Sequence, residues 1–206
     1  KYLKQERASE VLSADKRAFA KEAAMRSFVL LKNDNQVLPL KSNQKIALIG
    51  PLANDRSNMP GTWSINADAK QAISVLEGLN NRPGIGSKIL YAKGANISDD
   101  PVFAAKINVF GEKISIDTRS SQELLAEALT VAAASDIIVA VVGEASEMSG
   151  EAASRTSLDI PTSQQKLIEA LSKTGKPLVL VLMNGRPLTI ANELKSATAV
   201  LDVWHA

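Results

Sequence analysis

Three carboxylates crowd one short stretch of this chain: Glu144, Glu147 and Glu151, within DIIVAVVGEASEMSGEAASRTSLDIP, residues 136–161. Small residues surround them (Ala145, Ser146, Ser149, Gly150, Ala152, Ala153, Ser154), and one cation, Arg155, closes the group. A glutamate among small loop residues can act as a general acid or base where partial burial raises its pKa toward the working pH. Glycosidases use two such carboxyl groups, held ~5–5.5 Å apart for retention and wider for inversion. The plainer reading is a solvated acidic loop. Against it stands the tendency of loops on rigid scaffolds to carry function.

The elements that would position these residues are legible. Residues 137–142 are an unbroken apolar, β-branched run, which predicts a central strand buried on both faces. Gly143 opens the acidic loop, Pro161 closes it, and Ser163 reads as the N-cap of the next helix. Open α/β sheets place ligand chemistry at the carboxyl ends of such strands.

In chain order, residues 1–12 read as a linker or irregular helix. Ser13 then caps a helix over 14–32, with Phe19, Ala23, Phe28, Leu30 and Leu31 on one apolar face. Residues 45–50 read as a buried strand. A long loop follows over 51–69, containing Asn54, Asp55, Arg56, Pro60, Gly61 and Trp63. Trp63 is either a plug over the core or a stacking surface, and plugging is the commoner use of a large aromatic. A helix is expected over 70–80 and a strand over 88–92. Residues 94–119 read as an insertion with little regular structure, an Asp99-Asp100-Pro101 turn and a short pair around 114–116. Ser120 or Ser121 caps a helix over 122–134, and a further helix spans 163–174. Strands at 178–183 and 199–204 flank a short helix near 188–195. This alternation predicts an α/β fold, a doubly wound, mostly parallel sheet with helices on both faces. Pro51, Gly94, Gly143, Asn184 and His205 should then share one rim.

Composition removes several classes of function. The chain has 206 residues, 45% hydrophobic and 22% charged, which is sufficient for a packed core. A net charge of +2 and the lack of a basic cluster interleaved with aromatics argue against nucleic acid or an acidic membrane surface. There is no cysteine and one histidine, which excludes disulfides, thiolate metal sites, a cysteine nucleophile and a histidine pair. No apolar run approaches the ~20 residues of a membrane helix. Gly84-Ile85-Gly86 precedes a strand, so it is no dinucleotide fingerprint, and neither a P-loop nor a G-x-S-x-G elbow is present. A phosphoreceiver fits weakly, because Asp55 lies too far into its loop and the third strand is followed by Glu144. His205 has no identifiable nucleophile to serve and reads as a satisfied residue at a strand end.

Several segments, in order, carry a family resemblance. Residues 28–34 (FVLLKND), Leu38-Pro39-Leu40 and 45–51 (KIALIGP) resemble the entry to the second domain of family 3 glycoside hydrolases, the bacterial β-glucosidases. Val142-Gly143-Glu144, Gly150-Glu151-Ala152-Ala153-Ser154-Arg155, Leu158 and Ile160-Pro161 resemble the family's acidic loop. Residues 176–188 (KPLVLVLMNGRPL) are similar to its hallmark strand. The resemblance covers about residues 13–206 and implies an α/β sandwich domain leaning over the mouth of a barrel that supplies a nucleophilic aspartate. It implies retaining hydrolysis of terminal β-linked glucose, a β-glucoside or cello-oligosaccharide substrate, a periplasmic or secreted location, and no metal or organic cofactor. It leaves a homodimer open.

Carried over residue by residue, Glu151 is the acid/base and Glu147 the runner-up. Glu144, directly after the strand, is expected to be structural or to orient the loop, and Trp63, Arg155 and Ser149 are expected to contact substrate. Ser154-Arg155 stands where the family more often has Asp-Arg. The resemblance makes residues 1–12 a linker from an upstream barrel, and places the chain's end before the family's glycine-rich turn and helix. The competing expectations are a non-catalytic flavodoxin-like binding or scaffolding domain, or a domain that forms only a wall of the pocket.

Overall fold

A computed structural model describes residues 13–64, 67–85, 88–107, 113–151 and 153–205. Its centre is a six-stranded sheet in the order β1-β6-β5-β4-β2-β3. The strands are β1 (Val29–Asn33), β2 (Ile46–Ile49), β3 (Ile89–Ala92), β4 (Ile137–Gly143), β5 (Leu178–Met183) and β6 (Ala199–Asp202). The last five are mutually parallel, and β1 runs antiparallel on the edge beside β6. Numbered alone, the five parallel strands run 2-1-3-4-5, the flavodoxin-like doubly wound order.

Strand periodicity divides the core into two layers. Side chains alternate across a strand, so Ala47 and Ile49 face one layer while Ile46 and Leu48 face the other. The first layer packs under α4 (Ser121–Ala133), α5 (Thr162–Ser172) and α6 (Ala191–Ser196), through Ala128, Leu167, Leu171 and Leu194. The second is covered by α2 (Val75–Asn80) and α3 (Pro101–Lys106), through Leu76, Leu79 and Phe103, and by Phe28 and Leu38. Every residue of β2, β4 and β5 is buried, as expected for strands covered on both faces.

Five local expectations change. The helix predicted over 14–32 is α1 (Ala14–Ser27) and ends where Phe28 turns extended; Val29–Asn33 pair with β6 instead. An unpaired edge of β6 outcompetes a helical apolar period. No residue of α1 is buried, and Phe19 is 78% exposed. The helix over 70–80 begins only at Val75, because Ser74 and Glu77 form a reciprocal capping box there. Asp99-Asp100-Pro101 is a helix start: the Asp100 side chain caps α3, with Pro101 in the first turn. No strand pair forms at 114–116. Ser163 lies inside α5, behind Pro161, and its hydroxyl donates to the Asn96 carbonyl at 3.0 Å. Residues 1–12 lie outside the described residues.

Among the described residues, no helix is long and apolar enough to cross a membrane.

Candidate active site at the strand rim

Parallel pairing brings the carboxyl ends of β2 to β6 to one rim. The strand order reverses between β2 and β4, with β3 beyond one and β5 beyond the other. The loops leaving these two strands meet at this switch point, the usual ligand position in such sheets. They are the Trp63 loop, after β2, and the acidic loop, after β4.

Gly143 makes the exit from β4 possible. Its φ is +138°, and a Cβ there would stand 1.9 Å from the Met183 carbonyl oxygen. The fully buried Gln164 of α5 closes the turn: its Oε1 accepts from Gly143 N at 2.8 Å. Its Nε2 donates to the carbonyls of Gly143 at 2.8 Å and Ile97 at 3.1 Å. A buried side-chain amide thus continues the sheet's hydrogen bonding where the strand stops.

Glu144 follows and is wholly buried. Its N–H donates to the Met183 carbonyl at 2.8 Å. Its carboxylate is clamped by two guanidinium groups. Arg186, from the loop after β5, donates from Nη2 to Oε1 at 2.8 Å and from Nε to Oε2 at 3.3 Å. Arg155 donates from Nη1 to Oε1, and its Nη2 donates to the Asp159 carbonyl at 3.1 Å. A buried carboxylate is tolerated only with such partners, because desolvation of an unpaired one costs several kcal/mol. Arg155 is thereby committed to the root of the loop at both ends of its guanidinium.

The rest of the loop leans on the β2 side. The Ser146 N–H donates to Oδ1 of the buried Asn58 at 2.8 Å. Asn58 is itself set by Asp55, which accepts from the Asn58 N–H at 3.1 Å and from Nδ2 at 2.6 Å. Thr62 Oγ1 contacts the Ser146 carbonyl and donates to the Ser149 carbonyl at 2.9 Å. Ser149 is buried against Gly185. Glu147 is half-buried. Glu151 is exposed and makes no hydrogen bond or ion pair to a described residue.

Trp63 is 71% exposed, so in this domain it is no plug over the core. Its indole face is open on the loop adjoining the acidic one. His205 lies at the base of the rim, against Gly61 and Gly185. It is not the satisfied strand-end residue expected: among the described residues neither ring nitrogen makes a hydrogen bond of ordinary geometry, though the Asn58 backbone faces the ring. Burial pushes the imidazole below its usual pKa, outweighing the help of the Asn58 backbone and the Glu144 charge.

Sequence reasoning did not reveal Asn58, Thr62, Arg186 or Gln164 as parts of this site. Arg186 and Glu144 are 42 residues apart, and Thr62 and Ser149 are 87 apart. No local spacing reports such contacts.

The fold and rim define an α/β domain with an acidic loop at a topological switch point. Residues 28–206 match the model of the glycosyl hydrolase family 3 C-terminal domain, and the chain belongs to that family. It is 50% identical over 187 residues to a periplasmic β-glucosidase of Salmonella typhimurium, covering 91% of this chain and 24% of that protein. It is 35% identical over 195 residues to a β-xylosidase of Formosa agariphila, covering 92% and 24%. Among solved structures, the β-glucosidase from Listeria innocua in complex with isofagomine superposes with a TM-score of 0.81 at 29% identity, covering 99% of this chain and 25% of that one. The chain thus spans about a quarter of the length of these relatives.

Proposed function

We propose that this domain is the second domain of a retaining β-glucosidase acting on terminal β-linked glucose, and that Glu151 is its acid/base. One observation carries the reading: the tip of the acidic loop, at the switch point, presents a carboxylate with no partner among the described residues, beyond a root held by buried ion pairs. A group that must meet a substrate and a second protein wall should be open on the isolated domain and rigidly mounted. Glu151 would protonate the departing aglycone oxygen and then take a proton from the incoming water. The nucleophilic aspartate and most glycone contacts would come from a barrel domain of the same enzyme. The 50% identity to a periplasmic β-glucosidase, against 35% to a β-xylosidase, favours glucose over xylose and a periplasmic or secreted location.

The open indole of Trp63 suits stacking on the aglycone-side sugar. Arg155 and Ser149, first read as substrate contacts, are better assigned to holding the loop, since each faces the loop's own supports. Glu147 is the second choice for the acid/base.

The test is Glu151→Ala in the complete enzyme, assayed on an aryl β-glucoside with a good leaving group and on an unactivated disaccharide. General acid catalysis contributes about 10²–10⁴-fold, so the disaccharide should lose most. Azide should restore turnover of the aryl substrate and yield a β-glucosyl azide. Near-normal activity on both substrates would transfer the role to Glu147 or the barrel and leave this domain as a wall.

A further inference from the structure

We infer that Thr62 is a positioning residue that joins the Trp63 loop and the acidic loop into one unit and sets the place of Glu151. The inference rests on the reading of Glu151 as the acid/base.

Glu151 has no side-chain partner among the described residues, so its position is inherited from the backbone before it. Asn58 holds that backbone at the Ser146 N–H, and Thr62 holds it further along. The Thr62 hydroxyl lies against the Ser146 carbonyl and donates to the Ser149 carbonyl at 2.9 Å. These two carbonyls stand at the start of and just after the loop's short 3₁₀ turn, Ser146–Met148. The other branch of the same side chain meets the next residue. Gly150 has φ +107°, and a Cβ there would lie 2.6 Å from Thr62 Cγ2. The methyl therefore seats directly on the glycine that precedes Glu151, and that glycine adopts a conformation strained for any L side chain. Both branches of one β-branched residue act on the stretch Ser146–Gly150 that precedes the acid. A β-branched side chain is stiff at χ1, so neither branch can shift without the other.

Thr62 is also the residue before Trp63. The β2 side holds it: the Gly61 N–H donates to the Asn58 carbonyl at 3.3 Å, and Asn58 Oδ1 accepts from Ser146 N–H at 2.8 Å. The exposed indole and the exposed carboxylate are thus mounted on either side of one contact. A sugar stacked on Trp63 would meet a proton donor at a fixed offset. Positioning of this kind is where catalysis is most sensitive, since a misplacement of about 1 Å can cost about 10²-fold.

Three variants of the complete enzyme test this: Thr62→Val, Thr62→Ser and Glu151→Ala, with Thr62→Val/Glu151→Ala as the double. Valine keeps the shape and loses the donor; serine keeps the donor. Thr62→Val should lower kcat on the unactivated disaccharide by about 10–10²-fold, sparing the activated aryl glucoside, whose leaving group departs without a proton. Thr62→Ser should recover most of that loss. In the Glu151→Ala background Thr62→Val should add little, because the two act on one step. Amide hydrogen exchange at Ser146–Glu151 should quicken in Thr62→Val. Equal losses on both substrates, or none, while Glu151→Ala shows its selective loss, would overturn the inference and leave the acid/base reading standing. Absence of selective loss in Glu151→Ala itself would overturn both. Unchanged exchange at Ser146–Glu151 would by itself reject Thr62 as the brace.

Discussion

Glu144 and Glu151 stand on one loop, seven residues apart by number, and live in opposite surroundings. Glu144 is sealed in the protein with two guanidinium partners and a backbone anchor; Glu151 is exposed and has no partner among the described residues. The contrast separates two tasks that a run of acids cannot separate. A buried carboxylate held by two cations is fixed in place, which suits a mount. An acid/base must exchange a proton and therefore cannot be locked to a cation. Glu151, open at the loop tip, carries no such lock among the described residues; on this reading a surface that closes over the rim completes its surroundings.

The largest expected effect is on the root. Glu144→Ala leaves Arg155 and Arg186 facing each other without their carboxylate, and breaking a buried ion pair costs about 3–5 kcal/mol. Urea unfolding should show that loss as a lower midpoint. A loss below about 1 kcal/mol would mean that water or a rearranged loop takes over the charges, and would erase the contrast drawn above.

Gln164→Leu is the next step down. It leaves the N–H and carbonyl of Gly143 and the carbonyl of Ile97 without the amide that now serves them. An unsatisfied buried polar group costs about 1–3 kcal/mol, to be read from the same unfolding measurement. Amide exchange at Gly143 should quicken with it.

His205 sharpens the comparison through pH. Its folded pKa is depressed below the ordinary 6.5 by burial. The unfolded chain therefore binds this proton more readily than the folded one. The stability it permits is fully present above about pH 6.5 and declines as pH falls below that value. It is the chain's one histidine, so an NMR titration of the imidazole is unambiguous. His205→Leu should remove this component, which sets in below about pH 6.5, while leaving the carboxylate transitions at lower pH.

The smallest effect on stability belongs to the tip. Trp63 is 71% exposed, so Trp63→Ala should change unfolding free energy by no more than about 0.5 kcal/mol. In the complete enzyme it should raise KM for disaccharides while sparing small aryl glucosides. A large destabilisation would restore the plug reading that the exposure removes.

Much of the frame was legible beforehand. The β5 strand falls on Leu178–Met183 as read, and β4 runs one residue past its expected end, to Gly143. Both are continuous apolar runs bounded by turn residues, and that pattern has few alternatives in an α/β chain. The rim position of the acidic loop followed from it. The stretch 28–33 was misread because Phe28, Leu30 and Leu31 fit a helical face as well as a strand, and only the open edge of β6 decides between them. Ser163 was misread as a cap for a similar reason: a serine at a helix start is a fair signal, but here its hydroxyl is claimed by Asn96, 67 residues earlier.

The residues by themselves determined that a parallel sheet would form, which loops would reach its rim, and that three carboxylates would stand on one of them. These follow from hydrophobic period and turn chemistry, which act over a few neighbouring residues. Tertiary structure alone decided which carboxylate is sealed and which is open, that Arg186 joins Arg155 on Glu144, and that Thr62 touches the loop 87 residues away. Burial and charge pairing depend on which strands become neighbours, and that arrangement is a property of the assembled sheet.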